Sequence, residues 1–151
     1  MVTDPPYGVN YDPAWRNIAL STKADRAIGG VTNDGLADWT PVFELWNPEI
    51  IYCWHSPRFA DSIAAGLKQL NYKIISQIIW VKQHFVLSRG DYHWKHEPCW
   101  YAARGNHNWQ GGRDQSTVWE IANAGAFGGE GEQSGHSTQK PLECMARPIR
   151  N

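Results

Sequence analysis

The fold is most constrained by residues 49–82, where a short apolar run, a helix-patterned segment and an isoleucine-rich run follow one another. Glu49 to Trp54 (EIIYCW) is too short and too evenly apolar for an amphipathic helix, and reads as a strand buried on both faces. Ser56-Pro57 has the chemistry of a helix start. Phe59, Ile63, Leu67 and Leu70 then recur at helical spacing and mark an inward face, and Asn71 is placed to end the helix. Tyr72 to Lys82 (YKIISQIIWVK) is the next strand. Strand, helix, strand with one crossover predicts a βαβ unit, and with it an α/β fold on a parallel sheet. Ligands of such sheets sit beyond the carboxyl ends of the strands. That rule gathers Asp4, Trp54-His55-Ser56 and Lys82 on one rim, with His55 itself reading as a cap or surface residue.

On either side the pattern is less regular. Residues 9–38 form a long polar, Gly-punctuated loop with one short helix around Ile18 to Ala27. That length suits a lid or a nucleic-acid contact, and equally a disordered segment. Asp38-Trp39-Thr40-Pro41 predicts a helix capped by Thr40 and ending near Asn47-Pro48. Glu97 to Ala103 and Ser116 to Ile121 are further strands, with loops over 83–95 and 104–114. After a Gly-rich stretch, Ala124 to Gly135, the segment His136-Ser137-Thr138-Gln139-Lys140-Pro141 opens a final helix. Leu142, Met145 and Ala146 are expected on its inner face, and Pro148 is expected to kink or end it.

A chain of 151 residues with 42% apolar content is one globular domain, spanning 1–151. Its formal charge of −1 excludes a uniformly basic nucleic-acid binder, so phosphate contacts must come from a local patch. The candidate runs from Lys82 to Arg113 and holds Lys82, Arg89, Lys95, Arg104 and Arg113, with His84, His93, His96 and His107 among them. Nine tryptophans add ring surface. Interleaved Trp, His and Arg suits splayed nucleic acid, with π-faces for bases and cations for phosphates. Taken one by one, the same residues also suit a polar rim around a Trp core. No histidine pair has helical ligand spacing with a matched carboxylate, so no metal site is expected. Cys53, Cys99 and Cys144 lack CxxC spacing and read as reduced, buried thiols, consistent with a cytoplasmic setting. No long apolar span suggests a membrane role.

Asp4-Pro5-Pro6-Tyr7, followed by Gly8, carries the densest chemistry. Two prolines fix φ near −65° and restrict the residues before them. The carbonyls of Asp4 and Pro5 and the Tyr7 ring are thereby held in limited directions, and Gly8 permits a sharp turn. A carboxylate, a rigid carbonyl and an aromatic face suit a planar ring with an exocyclic amine. By themselves the four residues fit a polyproline II linker or docking peptide as well. A strand-like Met1-Val2-Thr3 ahead of them, and Tyr11 and Trp15 behind, argue against a solvated linker.

The tetrapeptide resembles the catalytic motif of the amino-group DNA methyltransferases, which act on N6 of adenine or N4 of cytosine. The Ile78-Ile79-Trp80-Val81-Lys82 strand, the His93-to-Arg104 stretch, Ser116-Thr117-Val118-Trp119 and the HSTQKP segment follow in the order of the family's β class. The chain is also similar to the methylase part of phage and plasmid proteins that carry a ParB-like domain. The resemblance implies a Rossmann-like sheet with helices on both faces, S-adenosylmethionine as cofactor and DNA as substrate, in the manner of restriction–modification methylases. It implies catalytic roles for Asp4, Pro5, Pro6 and Tyr7. It implies cofactor contacts from Asp4, Thr138, Gln139, Lys140 and Pro141, and DNA contacts from Tyr7, Lys82, Arg89, His93, Lys95, His96, Arg104 and Arg113. Asp in the first position favours adenine. The family's strand and Gly-x-Gly cofactor loop do not follow the last helix here, and the chain opens almost on the catalytic motif. The resemblance thus implies the catalytic half of the domain, truncated at both ends. It implies a partner chain or further segment bearing the loop, a homodimer, or a catalytically silent nucleic-acid-binding fragment.

Overall fold

The computed structural model describes residues 1–11, 31–86, 90–107, 109–122 and 139–151. The elements in chain order are β1 (Val2–Thr3), α1 (Thr40–Trp46), β2 (Ile50–Trp54), α2 (Ala60–Gln69), β3 (Lys73–Val86), β4 (Trp94–Ala103), β5 (Val118–Glu120) and α3 (Leu142–Arg150), with a 3-10 turn at Pro57–Phe59 leading into α2. The helix expected around Ile18 to Ala27 and the Gly-rich stretch after Ala124 lie outside the described residues.

The strands form one sheet in the order β1-β2-β4-β3-β5. β1 is parallel to β2, and β5 to β3. β4 pairs antiparallel with both β2 and β3, so the sheet is mixed rather than parallel. The expected crossover through α2 exists, and β2 and β3 share a direction, but β4 returns between them. The cause lies in residues 83–95, which sequence pattern assigns to a loop. β3 runs on to Val86 and β4 begins at Trp94. The two make a hairpin, and a hairpin partner takes the slot beside β3 that the crossover alone would give to β2. A register shift between Val81 and Val86 absorbs the extra β3 residues as a bulge.

β2 alternates cleanly between two cores, as a doubly covered strand must. Ile51 and Cys53 join Phe43, Ile63, Leu67, Tyr72 and Ala102 beneath α1 and α2. Tyr52 and Trp54 join Ile78, Trp80, Cys99, Tyr101, Trp119 and Cys144 on the face that α3 covers. Helices therefore lie on both faces. All three cysteines are free and buried, and burial first of all pushes the Cys144 thiol up to about 12. Among the described residues no helix is long and apolar enough to cross a membrane, and no cluster of ligands could hold a metal ion.

Local signals hold with small displacements. Trp39 is the N-cap of α1 and makes no side-chain cap bond, while Asp38, just ahead of it, accepts the Thr40 N–H on Oδ1 at 2.9 Å. Thr40 itself is inside the helix, turned toward α2. Asn47 and Asn71 end α1 and α2 with φ of 47° and 63°. Ser56 Oγ accepts the Arg58 N–H at 3.2 Å. In α2, Ile63 and Leu67 are buried, while Phe59 and Leu70 are only half-buried. α3 departs further. Leu142 is exposed and Cys144 and Pro148 are buried, four residues apart on one face. Pro148 does not end the helix, which continues to Arg150. So close to the C-terminus it costs one intrahelical bond, and its ring is buried in return.

Candidate active site

Four elements converge at the rim formed by the carboxyl ends of β1 and β2. β1 delivers Asp4 and the chain into Pro5-Pro6-Tyr7. β4 runs the other way, so its early residues reach the same rim and place Glu97 there, opposite Trp80 of β3. Lys82, two residues on in β3, lies diagonally across from Glu97. The residues before α3 bring in Lys140.

Lys140 is the centre of the cluster, its side chain 6% exposed. Its ammonium donates to Asp4 Oδ1 at 2.7 Å, to the Tyr7 hydroxyl at 2.6 Å and to Glu97 Oε2 at 2.9 Å. The Tyr7 hydroxyl donates in turn to Glu97 Oε2 at 3.0 Å. Lys82 forms an ion pair with Glu97 Oε1, its Nζ 5.1 Å from the Trp80 ring centroid. Two ammonium groups and two carboxylates balance. Burial alone would raise the Glu97 carboxyl, but Lys140 and Lys82 outweigh it and bring Glu97 down to about 2. Burial likewise disfavours the Lys140 ammonium, yet Glu97 and Asp4 outweigh it and raise the group above its ordinary value. Burial, with Glu97 and Asp4, holds the Tyr7 phenol well above its usual range. Lys140 Nζ is 4.8 Å from the Tyr7 ring centroid but much nearer the hydroxyl. It approaches the oxygen edge and does not cover the ring face.

The backbone of the motif is held from below. The Pro6 carbonyl accepts the Trp39 indole N–H at 2.9 Å. Gly8 has φ of 70°, and a Cβ there would meet Ala37 Cβ at 2.8 Å, so only glycine fits. No hydrogen bond to the Pro5 carbonyl occurs among the described residues. Asp4 keeps 31% of its side chain exposed. Pro5, Pro6, Tyr7, Trp54 and His55 line a void of about 10 Å³, room for one water at most. Any planar ligand must therefore approach Tyr7 from the solvent side.

His55 is 1% exposed, stacks on Trp100 at 5.4 Å and donates from Nδ1 to the Ser56 carbonyl at 2.9 Å. Burial lowers its pKa, so it is a neutral interior residue rather than a surface one. Lys82 lies at the rim as expected, but its cation is consumed by Glu97. Lys140 and Pro141 are at the site, with Pro141 fully buried. Gln139 is exposed at its border. Thr138 and Arg89 lie outside the described residues.

The basic patch does not survive as one surface. His93, stacked on Phe85 at 4.9 Å, exposed Lys95, and His96, edge-on to Trp94 at 5.5 Å, lie at or above the rim. Arg104 lies at the far end of β4, a strand of ten residues that spans roughly 30 Å. It sits 4.5 Å from the Tyr72 ring centroid and donates to the Pro48 carbonyl at 3.0 Å, tying β4 to the loop before β2. Arg113 is exposed and lines a separate cleft of about 400 Å³ on the α3 face, with Tyr52, Tyr101, Trp109 and Trp119. Closeness in sequence misled here because an extended strand carries neighbours to opposite edges.

Glu97 is the site residue that sequence reasoning missed, naming it only as the first residue of a strand. The available signal was its position. It is a carboxylate leading an otherwise apolar strand, where burial demands a partner.

By sequence the chain matches no family profile and no curated relative. By structure it is similar to the M1.HpyAVI–SAM complex, with TM-score 0.53, 18% identity, and 98% of this chain and 63% of that chain covered. It is similar to M1.HpyAVI alone at TM-score 0.53 and 16% identity, with 99% and 61% covered. This likeness shows a Rossmann-like, methyltransferase-type α/β fold. The chain spans about six-tenths of the length of each of those proteins.

Proposed function

We propose that this chain is the catalytic part of a DNA methyltransferase that acts on the N6 amino group of an adenine flipped out of the duplex. The observation that carries the reading is Asp4, held at the carboxyl end of β1 with Tyr7 beside it. It is the only carboxylate of the network left substantially exposed. The likeness to the M1.HpyAVI–SAM complex supports S-adenosylmethionine as cofactor, and with it methyl transfer in general. The choice of adenine rests on Asp in the first motif position.

An exocyclic amine is a weak nucleophile because its lone pair is delocalised into the ring. Asp4 and the Pro5 carbonyl each accept one amine hydrogen, which draws the nitrogen toward sp3 geometry and frees the lone pair. Tyr7 offers its ring face to the base. This is catalysis by positioning and electrostatics, with no covalent enzyme intermediate. Asp4, Gln139 and Pro141 fit the methionine end of S-adenosylmethionine, since a carboxylate open to the rim suits a sulfonium and the adjoining polar edge suits an amino acid, while Lys140, whose ammonium is fully bonded within the network, would serve that end by holding Asp4. When bound, that cofactor supplies the electrophilic methyl group. His93, Lys95 and His96, with the exposed rings of Phe85, Tyr92 and Trp94, form the DNA-facing part of the rim, and Arg89 belongs with them by sequence. Lys82, Arg104 and Arg113 are withdrawn from that role. Lys82 is neutralised, Arg104 is bound at the opposite edge, and Arg113 belongs to the separate cleft.

A second reading is favoured by β1, two residues long and the edge strand of the sheet. There the chain is one piece of a split methyltransferase, or a silent nucleic-acid-binding piece, completed by a partner chain or a second copy. The test is titration with S-adenosylmethionine with and without a DNA duplex, coupled to a radiolabelled-methyl transfer assay, on the chain alone and with a strand-plus-Gly-x-Gly segment added. Label on adenine N6 supports the first reading. DNA binding without label under any condition supports the silent piece, and salt-insensitive or absent DNA binding would overturn both.

A further inference from the structure

We propose that Glu97 is a positioning residue of this site, dividing its two oxygens between Lys82 and the Lys140–Tyr7 pair and so setting how Asp4 and the Tyr7 ring are presented. What those groups then do rests on the methyl-transfer reading above; the network itself does not.

The three hydrogens of the Lys140 ammonium have three acceptors, Asp4 Oδ1, the Tyr7 oxygen and Glu97 Oε2. None remains for another partner. Of the two Asp4 oxygens, only Oδ1 is bonded among the described residues, which leaves Oδ2 as the acceptor offered to a ligand. This sharing depends on Glu97. Were its charge removed, the buried ammonium would have a single carboxylate left. A bare ammonium is costly to bury, so Lys140 would close on Asp4 and compete for Oδ2. A neutral carboxamide in its place has one acceptor oxygen to divide between Lys82 and the Lys140–Tyr7 pair, so the Tyr7 hydroxyl would compete for its acceptor and its ring would be held less firmly from that end. Lys82 anchors the other oxygen, Oε1, and holds the carboxylate against β3. The other titratable groups near the cluster are the buried thiols of Cys53, Cys99 and Cys144, which burial keeps protonated, and His55, which burial keeps neutral.

The test is Glu97→Gln, which preserves size, read in two ways. A fully bonded, buried ammonium exchanges slowly with water, so Lys140 should give its own 1H–15N ammonium signal in lysine-labelled protein, assigned by its loss in Lys140→Arg. That signal is expected to vanish or broaden in Glu97→Gln, with the fold retained by circular dichroism. In the methyl-transfer assay kcat is expected to fall at least about tenfold while the KM for S-adenosylmethionine changes less than about threefold, the pattern of a lost orienting contact. An unchanged Lys140 signal, or an unchanged kcat in an active preparation, overturns the proposal. If Glu97→Gln does not fold, Glu97→Asp decides in its place. Loss of the Lys140 signal there supports the assignment, and a wild-type signal and turnover overturn it. An ammonium signal that depends on Glu97 in a protein with no methyl transfer supports the positioning role and counts against the proposed function alone.

Discussion

Asp4 and Tyr7 are close in sequence, but they are joined through residues 90 and 133 or more positions away. Asp4→Ala is expected to abolish methyl transfer and also to lower the unfolding midpoint, because it removes both the acceptor proposed for the reacting amine and one carboxylate of the buried Lys140 ammonium. Near-wild-type turnover would sink the catalytic assignment. For Tyr7, a pure stacking role would let Phe keep most of the activity. The hydroxyl bonds to Glu97 and Lys140 change that expectation. Tyr7→Phe strips an acceptor from a buried ammonium, at about 1–3 kcal/mol of stability, and Tyr7→Ala further removes stacking worth roughly 1–3 kcal/mol. Activity should therefore fall in the order wild type, Phe, Ala, measured by single-turnover transfer. Equality of Phe with wild type would show that the hydroxyl network is idle. The acid limit of stability follows from Glu97. Its folded pKa, about 2 against an ordinary 4.5, is depressed, so its contribution is present above the unfolded value and is lost as pH falls from about 4.5 through 2. That amounts to on the order of 3 kcal/mol at neutral pH. Acid unfolding of Glu97→Gln should be correspondingly shallower over this window.

At the scale of elements, α1 and α2 approach closely at one glycine. Gly66 faces Thr40, and a Cβ at Gly66 would stand 2.0 Å from Thr40 Oγ1. Gly66→Ala is expected to destabilise the chain by about 1–3 kcal/mol through overpacking, seen as a lower denaturant midpoint. Thr40→Ala in the same chain should recover most of that loss, since the two sites share one contact. Additive effects would mean that the helices separate rather than clash. The β3–β4 hairpin is the other element with a separable role. Tyr92 is 90% exposed, so Tyr92→Ala should weaken DNA binding in a fluorescence-anisotropy titration without moving the melting temperature.

At the scale of the molecule, β1 is the decisive feature. Its outer edge has no strand partner among the described residues, and bare edges invite pairing between chains. These 151 residues by themselves are expected to self-associate in sedimentation. They are also expected to bind S-adenosylmethionine several powers of ten more weakly than when supplied with a strand and glycine loop beside β1, each tenfold being about 1.4 kcal/mol. Calorimetry showing micromolar binding by the chain alone would mean that the cofactor site is built from residues read above as loop.

The local elements and the proline-fixed course of Asp4 to Tyr7 were legible in the sequence, because both are short-range. Helical spacing of Ile63 and Leu67, the apolar run of β2, the asparagine helix ends and the proline-fixed carbonyl geometry need only neighbouring residues. What the tertiary structure decided was long-range. Pairing of β4 between β2 and β3 turned a parallel sheet into a mixed one. It carried Glu97 to the rim and Arg104 to the far edge, though they are seven positions apart. Lys140 reached Asp4 only because α3 packs on the face bearing Trp54 and Cys99. Partners chosen by strand direction and buried charge are set by the whole sheet, and no window of sequence contains them.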